Sequence, residues 1–389
     1  MPIINRIADF QDDMTEWRRD FHAHPELGYE EVRTSAVITE RLKAFGLDEV
    51  HTGLAGTGVV GVIRGSEPGE DAIGLRADID ALPIEEKTGV AYASTHPGKM
   101  HACGHDGHTT MLLGAARYLA ETRRFAGTAY VIFQPAEEGG AGARKMVEDG
   151  LFGRFPMRAV FGMHNWPGMP IGEIAARVGP MMAAADVFAI TITGRGGHGA
   201  MPHETRDPIV VAATLVQMLQ TIVSRNVKAL DNAVVSVTQI HAGDAHNVIP
   251  GTAQVGGTVR TFSREAQDLV KERMHAIAKG LEASFDVEIE VGYRHGYPVT
   301  ANSEAETELA LATAADVANR TGSDIEPAMG SEDFSFMLNE RPGCYIWLGN
   351  GPSEGERKLH SAYYDFNDQV LPYGASYWAR LVERALPAA

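Results

Sequence analysis

Short apolar runs alternate with amphipathic stretches along most of the chain. Residues 5–23 and 30–46 repeat their apolar positions at helical spacing, and the turn His24-Pro25-Glu26-Leu27-Gly28 separates them. Strand-like runs follow at Gly58–Arg64 and Ala72–Asp78. The pattern then predicts a helix from Gly107 to Glu121, a strand at Ala129–Gln134, a helix at Gly142–Asp149 and a strand at Ala159–His164. Strands and helices in alternation predict an α/β sheet covered on both faces.

From Ala185 the rhythm changes. Val187–Thr193 reads as a strand, Asp207–Ser224 as a helix, Ala233–His241 and Thr252–Phe262 as strands, Arg264–Ser284 as a helix and Val287–Tyr293 as a strand. That β-α-β-β-α-β order predicts an inserted ferredoxin-like α+β unit. After Pro298 the α/β pattern resumes with a helix at 303–321, a loop at Gly330–Phe334, a strand at Cys344–Gly349 and a closing helix from Tyr373 to Ala385. The expected organisation is one discontinuous domain, 1–184 plus 298–389, with a smaller domain at 185–297.

Composition narrows the partners. Across 389 residues, 34 Lys and Arg stand against 51 Asp and Glu, a formal net charge of −17. A chain this acidic repels nucleic-acid phosphates and anionic lipid heads, so neither partner is expected. An anionic substrate would need a local positive source, such as metal ions or a placed arginine. Two cysteines are too few for a disulfide framework. The start lacks an apolar signal-peptide core, and the apolar run Pro208–Val223 is interrupted by Gln217 and Gln220, so the cytoplasm is the expected compartment.

Polar chemistry concentrates where an open α/β sheet would gather it, beyond the carboxyl ends of its strands. The segment His101-Ala102-Cys103-Gly104-His105-Asp106-Gly107-His108 packs three histidines and a cysteine into eight residues ahead of a helix. Nitrogen and sulfur donors with glycines between them suit a borderline-soft divalent metal, although spacing does not say which of His101, His105 and His108 are ligands. Glu137-Glu138 closes the next strand. One carboxylate there can coordinate metal while its neighbour moves a proton, or the pair can simply begin an acidic helix. Asp80, in Arg76-Ala77-Asp78-Ile79-Asp80, is placed to orient a ligand histidine from behind. His164 ends a strand and His360 sits in Leu359-His360-Ser361; neither would be chosen alone. His22 and His24 read as structural. Gly56-Thr57-Gly58-Val59-Val60-Gly61 matches a dinucleotide fingerprint formally, but a β-branched run follows where that motif needs a helix.

In order, these motifs are Asp78-Ile79-Asp80, Cys103-Gly104-His105, Glu137-Glu138, His164, Gly197-His198-Gly199-Ala200-Met201-Pro202 and His360. That series resembles the two-metal aminoacylase and carboxypeptidase G-like metallopeptidase family. The opening Arg19-Asp20-Phe21-His22-Ala23-His24-Pro25-Glu26-Leu27 and the block Met100–His108 are closer to its hippurate hydrolase and indole-acetyl-amino-acid hydrolase branch. There Asp78 stands where the wider family has a histidine, and Cys103 where it has a bridging aspartate.

The resemblance implies a zinc-peptidase-like catalytic domain with an inserted lid and dimerisation domain. It implies Cys103, His105, Glu138, His164 and His360 as ligands of two divalent ions (manganese, zinc, nickel or cobalt), and Glu137 as general base. It further implies that His198, Asn247 and Arg260 help hold substrate, with His198 reaching the site either by hinge closure within one chain or across a subunit interface. It favours a homodimer, or a higher homo-oligomer, in which His198 reaches the partner's site. The expected activity is hydrolysis of a small N-acyl-L-amino acid. A dipeptidase or carboxypeptidase on the same machinery, a cysteine hydrolase built on Cys103 and a non-catalytic metal-binding protein are the alternatives.

Overall fold

The computed structural model describes residues 3–353 and 357–389, which fall into two compact units. The larger comprises residues 1–181, 301–326 and 333–389, and the smaller residues 182–300 and 327–332.

The larger unit is built on an eight-stranded sheet ordered Glu49–Leu54, Gly58–Arg64, Ala126–Gln134, Glu67–Asp78, Ala159–Trp166, Gly343–Gly349, Glu173–Ala175 and Arg320–Gly322. The four central strands, from Ala126–Gln134 to Gly343–Gly349, run parallel, so their carboxyl ends open on one side. Their buried runs are nearly continuous, as a sheet covered on both faces requires. The helix His105–Thr122 is buried almost all round and packs against Leu371–Ala385. Such a helix belongs to the core.

Several boundaries differ from the sequence reading. The first helix is interrupted after Ala8 and restarts at Gln11, which lets Ile7, Phe10 and Met14 all reach the core. The helix expected at 303–321 ends at Val317, and Arg320–Gly322 is instead a short strand pairing in parallel with Glu173–Ala175. The edge strand Glu49–Leu54 lies outside the pattern-based elements, because its mixed exposure leaves no clean alternation to read.

The smaller unit has a four-stranded antiparallel sheet ordered Ala233–His241, Thr252–Thr261, Ala184–Thr193 and Glu288–Tyr297. With the helices Pro208–Arg225 and Arg264–Phe285 this is the ferredoxin-like arrangement. Phe188, Ile190, Ile192, Val255 and Val259 from the sheet share a core with Leu215, Leu219, Val270, Met274 and Leu281 from the helices. Asp207 and Ser263 cap the two helices by accepting from the Ile209 and Ala266 N–H groups. Among the described residues, Pro208–Arg225 alone is long and apolar enough to cross a membrane, but it turns one face into this core.

Candidate metal centre

Three adjacent parallel strands deliver the polar residues of the larger unit to one end of the sheet. Asp78 ends its strand opposite Gln134, with Asp80 just beyond. Glu137 and Glu138 follow Gln134 in a tight turn rather than opening a helix, which begins only at Gly142. His164 lies near the end of the third strand. The buried helix starts at His105, two residues earlier than its pattern suggests, and places His105 and His108 one turn apart on a common face.

These elements bring donor atoms together in overlapping trios, each within 4.8 Å: Cys103, His105 and His164; Cys103, Glu138 and His360; and His105, Glu137 and Glu138. Cys103 Sγ lies 3.3 Å from His164 Nε2. His360 Nε2 lies 3.1 Å from Glu138 Oε1. His360 is the exposed member of an otherwise mostly buried group, and its φ of 64° places it in the left-handed region.

The donor set fits a divalent metal. His105 Nδ1 is 2.9 Å from the Asp80 carbonyl oxygen, and His164 Nδ1 is 2.6 Å from that of Asn165. A carbonyl only accepts, so each neutral ring carries its proton on Nδ1 and presents a lone pair at Nε2. His105 Nε2 is buried with no hydrogen-bond partner. Burial favours the neutral His105 ring, but Asp78, Asp80 and Glu138 outweigh it and raise its pKa to about 10. The cluster therefore attracts a cation. Burial, aided by Glu138 and Glu137, pushes the Cys103 thiol well above the ordinary range, and burial lowers His164 well below its own. A thiolate at Cys103 calls for metal ions beside it.

Asp78, His105 and His108 form a further trio of close donors, but two of its members are already engaged. His108 Nδ1 is 2.6 Å from Asp78 Oδ1, and its Nε2 accepts the Asn165 N–H. Arg76 donates to Asp78 Oδ2 at 2.7 Å. Although burial opposes it, the charge of His105, His108 and Arg76 holds Asp78 well below the usual carboxylate range. His101 is buried without a partner for either nitrogen, and burial lowers its pKa to about 4.

In the smaller unit, His198 is exposed on a two-residue strand paired with Val248-Ile249, and its Nδ1 accepts the Ala200 N–H at 3.1 Å. Asn247 is exposed in the adjoining loop, where its carbonyl accepts the Gly199 N–H at 2.8 Å. Arg260 is half-buried near the end of a central strand and donates to the Thr258 hydroxyl and the Val259 carbonyl.

Comparison with known proteins now identifies the lineage. Residues 74–384 match the profile of the peptidase family M20/M25/M40. The chain belongs to that family. It is 41% identical to a hippurate hydrolase of Campylobacter jejuni over 99% of this chain and 100% of the relative. It is 44% identical to an N-acetyl-L-cysteine deacetylase of Bacillus subtilis over 93% of this chain and 85% of the relative. A Bacillus subtilis crystal structure described as a dinuclear metal binding peptidase of family M20 superposes with a TM-score of 0.86 at 36% identity, over 98% of this chain and 100% of that one.

Other residues around this M20 site gave no sequence signal. Asn165 Nδ2 donates to the Cys103 carbonyl at 2.7 Å, and the Tyr364 hydroxyl donates to Asn165 Oδ1 at 2.7 Å. Both crowd Gly104, whose φ is 91°: a Cβ there would lie 2.3 Å from Asn165 Nδ2 and 2.5 Å from the Tyr364 hydroxyl. Glycine is required at that position on both counts. Asp333 accepts from Arg76, from Gln134 and from the Ala143 N–H, tying the strand ends to the turn that carries Glu137. These partners come from distant parts of the chain, so no local pattern points to them.

Proposed function

We propose that this M20 chain is a metal-dependent amidohydrolase that cleaves N-acyl-L-amino acids to a carboxylate and a free amino acid. The observation that carries the reading is the clustering of Glu137 with the mixed sulfur, nitrogen and oxygen donors Cys103, His105, Glu138, His164 and His360. The two relatives, named for a benzoyl and an acetyl amino acid, support the substrate class. Cys103, His105, Glu138, His164 and His360 would hold two divalent ions, with zinc, manganese, nickel or cobalt favoured by the donors. Bound there, the ions would acidify a water and polarise the scissile carbonyl.

Glu137 accepts the proton of the attacking water and returns it to the departing amine. Asp80 holds His105 through Nδ1, fixing which nitrogen faces the metal. His198 donates to the developing oxyanion, and Asn247 and Arg260 hold the amino-acid carboxylate, the local positive source that an acidic chain needs. The inserted unit serves as lid and dimerisation element of a homodimer. A reduced Cys103, which would hold metal as a thiolate, is compatible with a cytoplasmic enzyme.

A panel of acetyl, benzoyl, indole-acetyl and longer fatty acyl groups crossed with amino acids, plus unblocked dipeptides, tests the assignment on manganese- or zinc-reconstituted protein. Turnover confined to N-acylated substrates is the expected result. Preference for a free α-amine would make the chain a dipeptidase instead. Activity that survives exhaustive chelation, with a covalent acyl group on Cys103, would replace both with a cysteine hydrolase.

A further inference from the structure

Glu31 is neither a ligand nor a base in this reading, yet its carboxylate is fully buried. Oε1 accepts the Ala136 N–H at 2.8 Å, and Oε2 accepts the Thr57 hydroxyl at 2.7 Å. Ala136 immediately precedes Glu137 and has a φ of 52°, a left-handed conformation that alanine keeps only when its surroundings impose it. Its carbonyl is held as well, accepting the Gly142 N–H at 3.0 Å. Both peptide groups of the strained residue are thus pinned, and Glu31 supplies one of the pins.

The neighbours of Glu31 close on the same turn. The Tyr29 hydroxyl donates to the Gly140 carbonyl at 2.8 Å. A Cβ on Gly28 would come within 3.1 Å of Ala136 Cα and Cβ, so the two backbones meet closely there. Thr57 belongs to the glycine-spaced segment that fails as a dinucleotide fingerprint, and Gly58 beside it packs against Pro135. That segment therefore has a structural use: with residues 28–31 it braces the turn that presents Glu137. Both segments lie before residue 74, ahead of the stretch matched by the family profile.

We propose that Glu31 is a positioning residue for Glu137, fixing the left-handed Ala136 through an accepted hydrogen bond and so setting where the Glu137 carboxylate stands. The proposal rests on the reading of Glu137 as general base. What matters in it is an acceptor oxygen at the right reach, not the charge. Glu31→Gln keeps that oxygen; Glu31→Asp keeps the charge but shortens the arm by one methylene.

The test uses the full chain and the acyl-amino acid most rapidly turned over in the panel, with Glu137→Gln as control. For Glu31→Asp and Glu31→Ala, kcat should fall about 10- to 100-fold, the scale of an ångström-sized misplacement, while KM and manganese occupancy stay within about two-fold. Glu31→Gln should restore kcat to within about three-fold of wild type. Hydrogen exchange of the metal-free protein gives an independent readout: the amide of Ala136 should lose protection in Glu31→Asp and keep it in Glu31→Gln. If Glu31→Ala does not fold, the Asp and Gln variants decide. Wild-type kcat in Glu31→Asp, or an equal loss in Glu31→Gln, would overturn the proposal, as would a loss explained wholly by lower metal occupancy. Unimpaired Glu137→Gln would instead overturn the general-base reading beneath it.

Discussion

In the larger unit Cys103, His105 and His164 are buried, and each histidine is anchored through Nδ1 to a backbone carbonyl. In the smaller unit His198 and Asn247 are exposed on a short ribbon and its loop, and His198 is engaged by little more than the Ala200 N–H. The first arrangement sets donor geometry before anything binds, which is what metal selection and proton transfer require. The second leaves its side chains free to adopt a position when a ligand arrives, as substrate-gripping loops do. Substitutions should therefore fail differently in the two regions. Losses in the larger unit should appear as lost metal or lost chemistry, and losses in the smaller unit as lost transition-state or substrate contacts with the metal retained.

The largest effect is expected at the buried donors. Glu138→Ala or His164→Ala should lower manganese or zinc content below the about two ions per chain that the proposed site would hold, and abolish turnover. Elemental analysis beside the activity assay checks both. Full metal content in either variant would remove that residue from the ligand set.

Next comes His198→Ala, for which kcat should fall about 10²-fold, the usual cost of losing an oxyanion donor. Metal content should be unchanged, and that contrast with Glu138→Ala is the sharpest form of the comparison. Metal loss in His198→Ala would erase it.

The two regions also differ in how much of them the sequence revealed. Three histidines and a cysteine in eight residues mark a candidate metal site because few structural needs put them together, and the buried strands of the sheet are visible as apolar runs. The choice among His101, His105 and His108 was not legible. It depends on what each second nitrogen touches: Asp80 for His105, Asp78 and Asn165 for His108, and nothing for His101. Glu31, Asn165 and Asp333 were invisible for the same reason, since their partners lie far away in the chain. The proposal for His198 rests on its glycine-rich surroundings and the family resemblance alone, because an exposed histidine has no burial pattern to single it out. Three-residue strands such as Arg320–Gly322 are too short for any periodicity.

A smaller effect should come from His22, which pairs with Asp106 beside His105, and reach stability rather than catalysis. Burial opposes the charged form of His22, but hydrogen bonds to Asp106 and Glu86 outweigh it and raise its pKa to about 9. A raised folded-state pKa contributes stability that is fully present below the unfolded value of about 6.5 and is lost as pH rises through the folded one. Thermal or urea unfolding of the wild type should therefore lose about 2 kcal/mol between neutral pH and about pH 10, and His22→Gln should flatten that slope. An equal slope in the variant would assign the pH dependence elsewhere.

The central claim is that a metal-holding cluster and a proton-moving carboxylate stand side by side at Glu138 and Glu137. Glu137→Gln tests it most directly, because the amide preserves shape but cannot accept the proton of water. The account predicts that kcat falls by at least about 10²-fold while metal content and KM stay near wild type. Loss of metal with activity retained per bound ion would contradict it, making Glu137 a ligand and reversing the roles of the pair.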